Sequence, residues 1–162
     1  DTDSEAKRLM ESSLEVVQKL SECFGRDIYH NGRLNRGLLS SRVFGESDKI
    51  VLLNSIVHPV VRFDFYRWSE SLNEEICFVE SAILYESRFD ELVDEVWTVT
   101  APEELRISRV RQRSGLTEEE IKKRMAAQLS EEEKQRRAAH IIWNDGNVSV
   151  IHTVLSLLKS LE

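Results

Sequence analysis

The sequence predicts an α/β fold in which helices flank a parallel sheet. Short apolar runs rich in β-branched and aromatic residues occur at 76–79, 96–99 and 140–143, and such runs are typical of buried strands. Helical segments lie between and after these runs, and strands that alternate with helices indicate a parallel sheet. Helices are expected to dominate the first half of the chain, because its apolar residues recur at helical spacing.

The first half is predicted to contain four helices. They span residues 4–24, 35–44, 47–57 and 59–73. Gly25 follows the first helix as a terminator, and residues 29–34 form a turn into the second. His58-Pro59 is predicted to separate the third helix from the fourth, because proline favours the first helical turn.

Three capping boxes predict helices in the second half. They pair Thr100 with Glu103, Thr117 with Glu120, and Ser130 with Glu133. The helices that follow are expected at about 101–113, 118–128 and 131–138, and a last helix carries the apolar face of 148–158. The second and third of these are short and highly charged, so they form either a solvated crossover or a mobile lid.

Composition and charge exclude several classes of function. The 162 residues include 22 Lys and Arg against 29 Asp and Glu, a formal net charge of −7. This charge argues against general binding to nucleic acid or to an anionic membrane. No apolar stretch reaches the ~20 residues that span a bilayer, and the polar start lacks the apolar part of a signal peptide. We therefore expect a cytoplasmic protein without nucleic-acid or membrane partners, and either a monomer or a small homo-oligomer.

An arginine cluster stands out in this acidic chain. Arg106, Arg109 and Arg113 share one face of a predicted helix, and Arg111 points elsewhere. Guanidinium groups bind phosphate through a planar fork, so the stripe suits a phosphate clamp. The alternative is a solvated face paired with the glutamates Glu103, Glu104 and Glu118.

Acidic residues mark two further candidate positions. Asp1 and Asp3 lie just before a helix, where a carboxylate can take a proton from a hydroxyl or hold Mg²⁺ directly or through water. The alternative is helix capping by Asp3 or Ser4. Glu80 and Glu86 flank the end of the 76–79 run. They are either ligand-binding residues at the edge of the sheet or surface acids.

Two other features allow a functional and a structural interpretation. His58 is either a ligand-binding residue or a neighbour of a helix start. Asn144-Asp145-Gly146 follows the last predicted strand and is typical of a turn. The backbone of such a turn can also cradle a base.

In order and spacing, these motifs resemble those of the dephospho-CoA kinases. Asp1-Thr2-Asp3-x-x-Ala6-Lys7 resembles the Asp-Ala-Asp-x-x-Ala-Arg opening of that family. Further matches are Leu34-Asn35-Arg36, Val43-Phe44, Asn54-(x)3-His58-Pro59-(x)2-Arg62, Arg109-(x)3-Arg113, Gly115-Leu116-Thr117, Arg124, Gln128-Leu129-Ser130, Glu133-Lys134 and Asn144-Asp145-Gly146.

The resemblance implies an activity and an architecture. The activity is ATP-dependent phosphorylation of the ribose 3′-hydroxyl of dephospho-CoA, which gives CoA and ADP in the last step of coenzyme A biosynthesis. The fold is a P-loop kinase-like parallel sheet with flanking helices, a helical substrate-binding region and a helical lid. Residues 1–28 and 74–162 are expected to form the nucleotide-binding core, with the lid at about 114–138, and residues 29–73 to bind dephospho-CoA.

The resemblance also assigns roles to individual residues, with ATP and Mg²⁺ as cofactors. Asp3 is expected to deprotonate the acceptor hydroxyl, with Arg109 and Arg113 as the other catalytic residues, and Asp1 to support Mg²⁺ directly or through water. The expected substrate-binding residues are Lys7, Arg36, His58, Arg62 and Glu86. Arg109, Arg113, Asn144 and Gly146 are expected to bind the nucleotide.

Two departures from the family pattern stand out. Ala82 occupies the place of a usual proline, and the sequence contains no Gly-x-x-x-x-Gly-Lys-Ser/Thr loop. We expect the strand and loop that carry this motif to precede Asp1, so that this polypeptide alone lacks most of the γ-phosphate site and is inactive. The alternatives are another P-loop nucleotide or nucleoside kinase, or a non-catalytic nucleotide-binding domain without the loop.

Overall fold

A computed structural model describes residues 1–161 of the chain. The chain divides into two compact units, Asp1–Ala82 and Ile83–Glu162. The first is mostly helical, and the second combines helices with a parallel pair of strands. Helices therefore dominate the first half, as the sequence predicts. Across residues 1–161 no helix is both long and apolar enough to cross a membrane.

The first unit contains four helices and a small hairpin. Its elements are α1 (Thr2–Ser12), α2 (Leu14–Phe24), β1 (Tyr29–His30), β2 (Arg33–Leu34), α3 (Arg36–Val43) and α4 (Ser47–Glu70). Helices α1, α2 and α4 pack against one another. Their buried apolar side chains form the core of the unit: Leu9, Val16, Leu20, Phe24, Ile56, Val57 and Val61.

The predicted single helix over 4–24 is wrong, because Ser13 divides it. Ser13 has extended backbone (φ −82°, ψ 114°), and its hydroxyl accepts a hydrogen bond from the Val16 N–H. Serine competes well as a helix cap, so a new helix begins here.

Gly25 ends α2 as predicted. Its φ of +93° suits glycine, and a Cβ there would lie 2.5 Å from Nη1 of Arg42. That arginine donates to the Phe24 carbonyl and pairs with Asp27, so it closes the end of the helix.

Residues 29–34 form the predicted turn as a tight hairpin. Asn31 and Gly32 both have positive φ, 50° and 76°, as a two-residue hairpin turn requires. The turn leads into α3, whose N-cap Asn35 accepts a hydrogen bond from the Leu38 N–H at 3.0 Å.

The predicted helix pair around His58-Pro59 is one continuous helix, α4. Pro59 lies inside it and removes the backbone donor that would serve the Ser55 carbonyl. Ile56, Val57 and Val61 are buried on both sides of the proline. Their burial offsets the lost hydrogen bond, so the helix continues through Pro59.

The second unit is built around two parallel strands. Its elements are β3 (Trp97–Thr100), α5 (Glu103–Ser114), α6 (Glu118–Ala126), α7 (Glu131–Arg137), β4 (His140–Trp143) and α8 (Val150–Leu158). The register pairs Trp97 with His140 and Thr100 with Trp143. These two runs form strands of a parallel sheet, as the sequence predicts. The buried apolar side chains of this unit are Tyr85, Phe89, Ala101, Ile107, Ile121 and Ile142.

The predicted strand over 76–79 is absent from the part of the chain that the structure describes. Ile76 and Phe78 are 42% and 62% exposed, so the apolar run is not buried. A strand needs a neighbouring strand to complete its hydrogen bonds, and none pairs with this run within residues 1–161. The adjoining Glu80 carbonyl instead accepts the Thr2 N–H at 3.0 Å.

Of the three predicted capping boxes, one forms completely and one forms in part. Thr117 and Glu120 make a complete capping box for α6, and Ser130 accepts a hydrogen bond from the Glu133 N–H at 3.2 Å. The predicted cap by Thr100 is wrong. Thr100 ends β3, and Pro102 occupies the N-cap of α5.

Candidate active site

The start of α1 holds the first pair of predicted site residues. Oδ1 of Asp1 accepts the N–H groups of Asp3 and Ser4 at 2.9 and 3.4 Å, and Oδ2 accepts the Ser4 hydroxyl at 2.6 Å. Asp1 is therefore the cap, and the alternative interpretation, capping by Asp3 or Ser4, is wrong. Because Asp1 has taken this role, the exposed carboxylate of Asp3 is left at the positive end of the helix.

Two predicted residues, Asp3 and Lys7, lie on one face of α1, and a third, Arg36 of α3, is held beside that face. Lys7 follows Asp3 by one helical turn, and Glu11 follows Lys7 by another. Nη2 of Arg36, at the start of α3, lies 3.2 Å from Oε1 of Glu11. The ion pair brings Arg36 to the face that carries Asp3 and Lys7.

Helix α4 carries two more predicted residues, His58 and Arg62, one turn apart. His58 is half-buried, and burial lowers its pKa below the ordinary value, which favours the neutral imidazole. His58 is therefore suited to hydrogen bonding rather than to a fixed positive charge. A separate ion pair joins α1 to α4, with Nη2 of Arg8 2.6 Å from Oδ2 of Asp64.

In the second unit, Arg109 lies at the carboxyl ends of both strands. Its Nη1 donates to the Asn144 carbonyl at 2.7 Å. The Asn144 N–H donates to the Thr100 carbonyl at 2.7 Å, which extends the ladder beyond β4. Ligands of open α/β sheets bind at this end of the strands. The structure thus joins two predicted nucleotide-binding residues, Arg109 and Asn144.

The loop after β4 has a defined conformation. Asp145 accepts hydrogen bonds from the backbone and side chain of Asn147, both at 2.9 Å, and these bonds lower the pKa of Asp145, with a smaller effect from Arg109. Gly146 has a φ of +92°, and a Cβ there would meet nothing within 4 Å. The loop therefore presents an open backbone surface beside Arg109.

The arginines that share one face of α5 have different surroundings. Nη1 of Arg106 lies 2.5 Å from Oε2 of Glu131 in a part-buried ion pair. Its partner is thus an acid of α7, which neither sequence interpretation named. Arg113 is exposed in the last turn of α5.

Glu86 is not a simple surface acid. Its Oε1 accepts the Leu129 N–H at 2.5 Å, and its Oε2 is buried with no hydrogen-bond partner among the described residues. Sequence reasoning missed this contact and the Arg106–Glu131 pair, because no local pattern relates residues that are far apart in the chain.

Comparison with known proteins decides the family. The family model described as dephospho-CoA kinase (CoaE) matches residues 1–149. The chain belongs to the dephospho-CoA kinase family. A dephospho-CoA kinase of Porphyromonas gingivalis is 35% identical over all of this chain and 81% of that protein. One of Salinibacter ruber is 40% identical over 91% of this chain and 76% of that protein.

Solved structures agree with the fold expected of a dephospho-CoA kinase. The crystal structure of TT1252 from Thermus thermophilus aligns with a TM-score of 0.84 and 31% identity, over 100% of this chain and 83% of that one. A dephospho-CoA kinase from Campylobacter jejuni aligns with a TM-score of 0.68 over 99% of this chain and 85% of that one, at 24% identity. The expected P-loop kinase-like α/β fold is confirmed, and membership of a kinase family implies the use of ATP.

Proposed function

We propose that this member of the dephospho-CoA kinase family transfers the γ-phosphoryl group of ATP to the ribose 3′-hydroxyl of dephospho-CoA, giving CoA and ADP. The observation that carries the proposal is the Arg109 guanidinium, which the Asn144 carbonyl holds at the carboxyl ends of β3 and β4. Phosphoryl transfer depends mostly on positioning and on charge neutralisation, and a fixed guanidinium supplies both.

The acceptor side of the reaction is assigned to the first unit. Asp3, exposed in the first turn of α1, takes the proton of the 3′-hydroxyl as the new O–P bond forms and the bond to ADP breaks. The resemblance assigns acceptor binding to Lys7, Arg36, His58 and Arg62 of this unit, and also to Glu86 of the second unit. The ion pair with Glu11 fixes Arg36 beside α1, and Lys7 is exposed there, so two basic side chains are available to an anionic acceptor.

The nucleotide side is assigned to the second unit. Arg109 and Arg113 neutralise the phosphates, and Asn144 with Gly146 contacts the adenine. The open backbone of Gly146 supports this assignment, because a flat ring can approach it closely. Residues 114–138 are assigned to a lid that excludes water from the reacting phosphate.

The surroundings of Asp1 fit a role in holding Mg²⁺ through a water molecule. Three donors already use the two oxygens of Asp1, yet the exposed carboxylate keeps lone pairs for a water ligand. Within residues 1–161 no group of three or more His, Cys, Asp or Glu is arranged to hold a metal, which suits an ion carried mainly by phosphates and water. When bound, Mg²⁺ neutralises the charge of the phosphates.

We also propose the surroundings in which the enzyme works. It acts on a small molecule in the cytoplasm, without nucleic acid or membrane, as a monomer or a small homo-oligomer.

Product analysis tests the proposed function. The natural protein that contains this chain is incubated with ATP, Mg²⁺ and dephospho-CoA, and CoA is measured by mass spectrometry, with adenosine, AMP and pantetheine phosphate as parallel acceptors. CoA is expected only from dephospho-CoA. Phosphorylation of another acceptor instead would overturn the substrate, and no product from any acceptor would overturn the kinase activity.

The role of Asp3 is tested in the same protein. Asp3→Asn is expected to lower kcat by about 10²–10⁴-fold, because the amide cannot accept the proton. Circular dichroism is expected to stay unchanged. Asp48→Asn is the matched control, an exposed acid in the first turn of α4. Near-normal kcat in Asp3→Asn would remove Asp3 from the role of base.

A further inference from the structure

Arg36 occupies an unfavourable position in α3. It is the first residue of the helix, where the free backbone N–H groups carry partial positive charge, and the first turn of α3 contains no acidic residue. The side chain is exposed, so an unpaired guanidinium there would change rotamer freely. A long cation is thus retained at the positive end of a helix, and its partner comes from another helix of the unit.

That partner, Glu11, is equally unfavourable in its own helix. It lies in the last turn of α1, where the free carbonyl groups carry partial negative charge, and this turn contains no basic residue. Lys7 precedes Glu11 by one turn and could pair with it. The carboxylate instead contacts Arg36, with 3.2 Å between Oε1 and Nη2. Each residue therefore offsets the unfavourable position of the other, and neither is explained by its own helix.

The hairpin before α3 is fixed to the same turn of α1. The hydroxyl of Tyr29, in β1, donates at 2.7 Å to the carbonyl of Met10, in the last turn of α1, whose carbonyls lack helical partners. Tyr29 pairs across the hairpin with Leu34, two residues before Arg36. Burial raises the pKa of Tyr29 to about 12, with a smaller effect from Glu11, so the hydroxyl remains a donor at neutral pH. This bond fixes the backbone near Arg36, and Glu11 fixes the guanidinium.

The tethered guanidinium keeps donors for a ligand. The contact with Glu11 uses Nη2, and a guanidinium has five N–H donors, so others remain for an anion. Because Arg36 neutralises Glu11, the exposed ammonium group of Lys7 is available as well. Lys7 follows Asp3 by four residues, which is about 6 Å along the helix axis. An anionic group bound by these two cations therefore lies close to the carboxylate that is proposed to take the hydroxyl proton.

We infer that Glu11 is a positioning residue for the acceptor: its carboxylate holds the Arg36 guanidinium beside Lys7, where both cations bind an anionic group of dephospho-CoA. Glu11 lies outside the motifs that resemble those of the family, and its role follows from the contact between α1 and α3. The identity of the acceptor rests on the proposed function. The tether between Glu11 and Arg36 does not.

Kinetics of Glu11→Gln test the positioning role. The amide has the size of the acid without its charge, so it holds the guanidinium less firmly, and the entropy of fixing Arg36 is then lost on binding. The KM of dephospho-CoA is expected to rise about three- to tenfold, with kcat within about twofold of wild type. Glu15→Gln is the matched control, because Glu15 is an exposed acid of the same unit that pairs with Lys19 at 2.7 Å. An unchanged KM in Glu11→Gln would overturn the inference, and so would a lower KM, which would show that the carboxylate repels the acceptor.

A double variant separates positioning from a general structural effect. In Arg36→Ala the guanidinium is absent, so the addition of Glu11→Gln should change the KM of dephospho-CoA by less than about twofold. A merely structural role would make the two effects multiply, and an equally large rise in this background would overturn the inference. If Glu11→Gln does not fold, Glu11→Asp replaces it. Its shorter side chain draws the carboxylate away from Arg36, and a raised KM is again expected.

Nuclear magnetic resonance tests the tether without reference to activity. In the wild type, the Nε–H group of Arg36 is expected to be more ordered than that of Arg33, an exposed arginine of β2, and to lose this order in Glu11→Gln. Equal order of the two arginines in the wild type would overturn the inference. If the wild type forms no CoA, the proposed function fails, and the Kd of dephospho-CoA replaces KM in the same comparisons. An unchanged Kd in Glu11→Gln, or no binding to the wild type, would overturn the positioning role.

Discussion

Arg109 connects a helix to a loop through a single guanidinium. One N–H group is used on the Asn144 carbonyl, and the remaining donors of this exposed side chain stay available to an anion. An arginine fixed at one end binds phosphate with less loss of side-chain entropy than a free one. The same residue therefore shapes the loop and presents charge beside it.

Replacing Arg109 is expected to slow the chemical step more than it weakens ATP binding. Arg109→Ala should lower kcat by about 10²–10³-fold, because charge that develops on the transferring group loses a fixed donor. Arg111→Ala, an exposed neighbour on the same helix, should leave kcat close to wild type. The measurement is kcat and the KM for ATP in each variant. An effect on KM alone would assign Arg109 to ground-state binding.

Asp1 is expected to show two separable roles. Asp1→Ala removes the cap of α1 and should lower the free energy of unfolding by about 1 kcal/mol. Asp1→Asn keeps a good cap without the charge, so its stability should stay near wild type while its Mg²⁺ requirement rises. Urea unfolding and a Mg²⁺ titration of kcat measure the two effects. Equal stability of the Ala and Asn variants would contradict the capping role.

At the scale of elements, α4 shows how packing overrides a local signal. Proline inside a helix normally ends or bends it, and the sequence therefore predicts two helices. The buried residues on both sides of Pro59 keep α4 continuous.

Pro59→Ala is expected to stabilise the protein. The new N–H can donate to the Ser55 carbonyl, and alanine favours the helix interior, so the free energy of unfolding should rise by about 1 kcal/mol or more. Thermal unfolding of the wild type and variant measures the difference. A lower stability in Pro59→Ala would show that the packing of α4 depends on the proline.

Elements with a strong local signal could be predicted from the sequence. They include the two strands of a parallel sheet, the Gly25 terminator and the capping box at Thr117, which all follow from residue type and spacing. The apolar spacing continues across Ser13 and does not reveal the break, which lies in the extended backbone and the cap at that residue. The residue types of the 76–79 run predict a strand, but they do not reveal whether a neighbouring strand pairs with it.

The same distinction between local patterns and contacts of distant segments applies to the candidate site. Asp1 and Asp3 at a helix start, and Asn144-Asp145-Gly146 after a strand, carry local patterns, so their positions could be predicted. The partners of Arg106 and Glu86 could not, because each contact joins segments far apart in the chain. The catalytic roles assigned to the site residues remain predictions.

At the scale of the whole molecule, the two units are expected to respond to different ligands. Hydrogen exchange with a non-hydrolysable ATP analogue should slow amides in α5 and the 144–147 loop. Dephospho-CoA should slow amides in the first unit, chiefly in α1, α3 and α4. Protection of the second unit alone by dephospho-CoA would contradict the assignment of the acceptor to residues 29–73 and α1.

The parallel ladder sets an order of events during folding. Because β3 and β4 are joined by residues 101–139, their backbone groups cannot pair until that whole stretch has emerged and its ends have met. Helices form from contacts close in sequence and need no such closure, so α5 can fold while β4 is still being synthesised. Within residues 1–161, β3 has no pairing partner until β4 has emerged, so its unpaired backbone groups are open to misassociation during that interval.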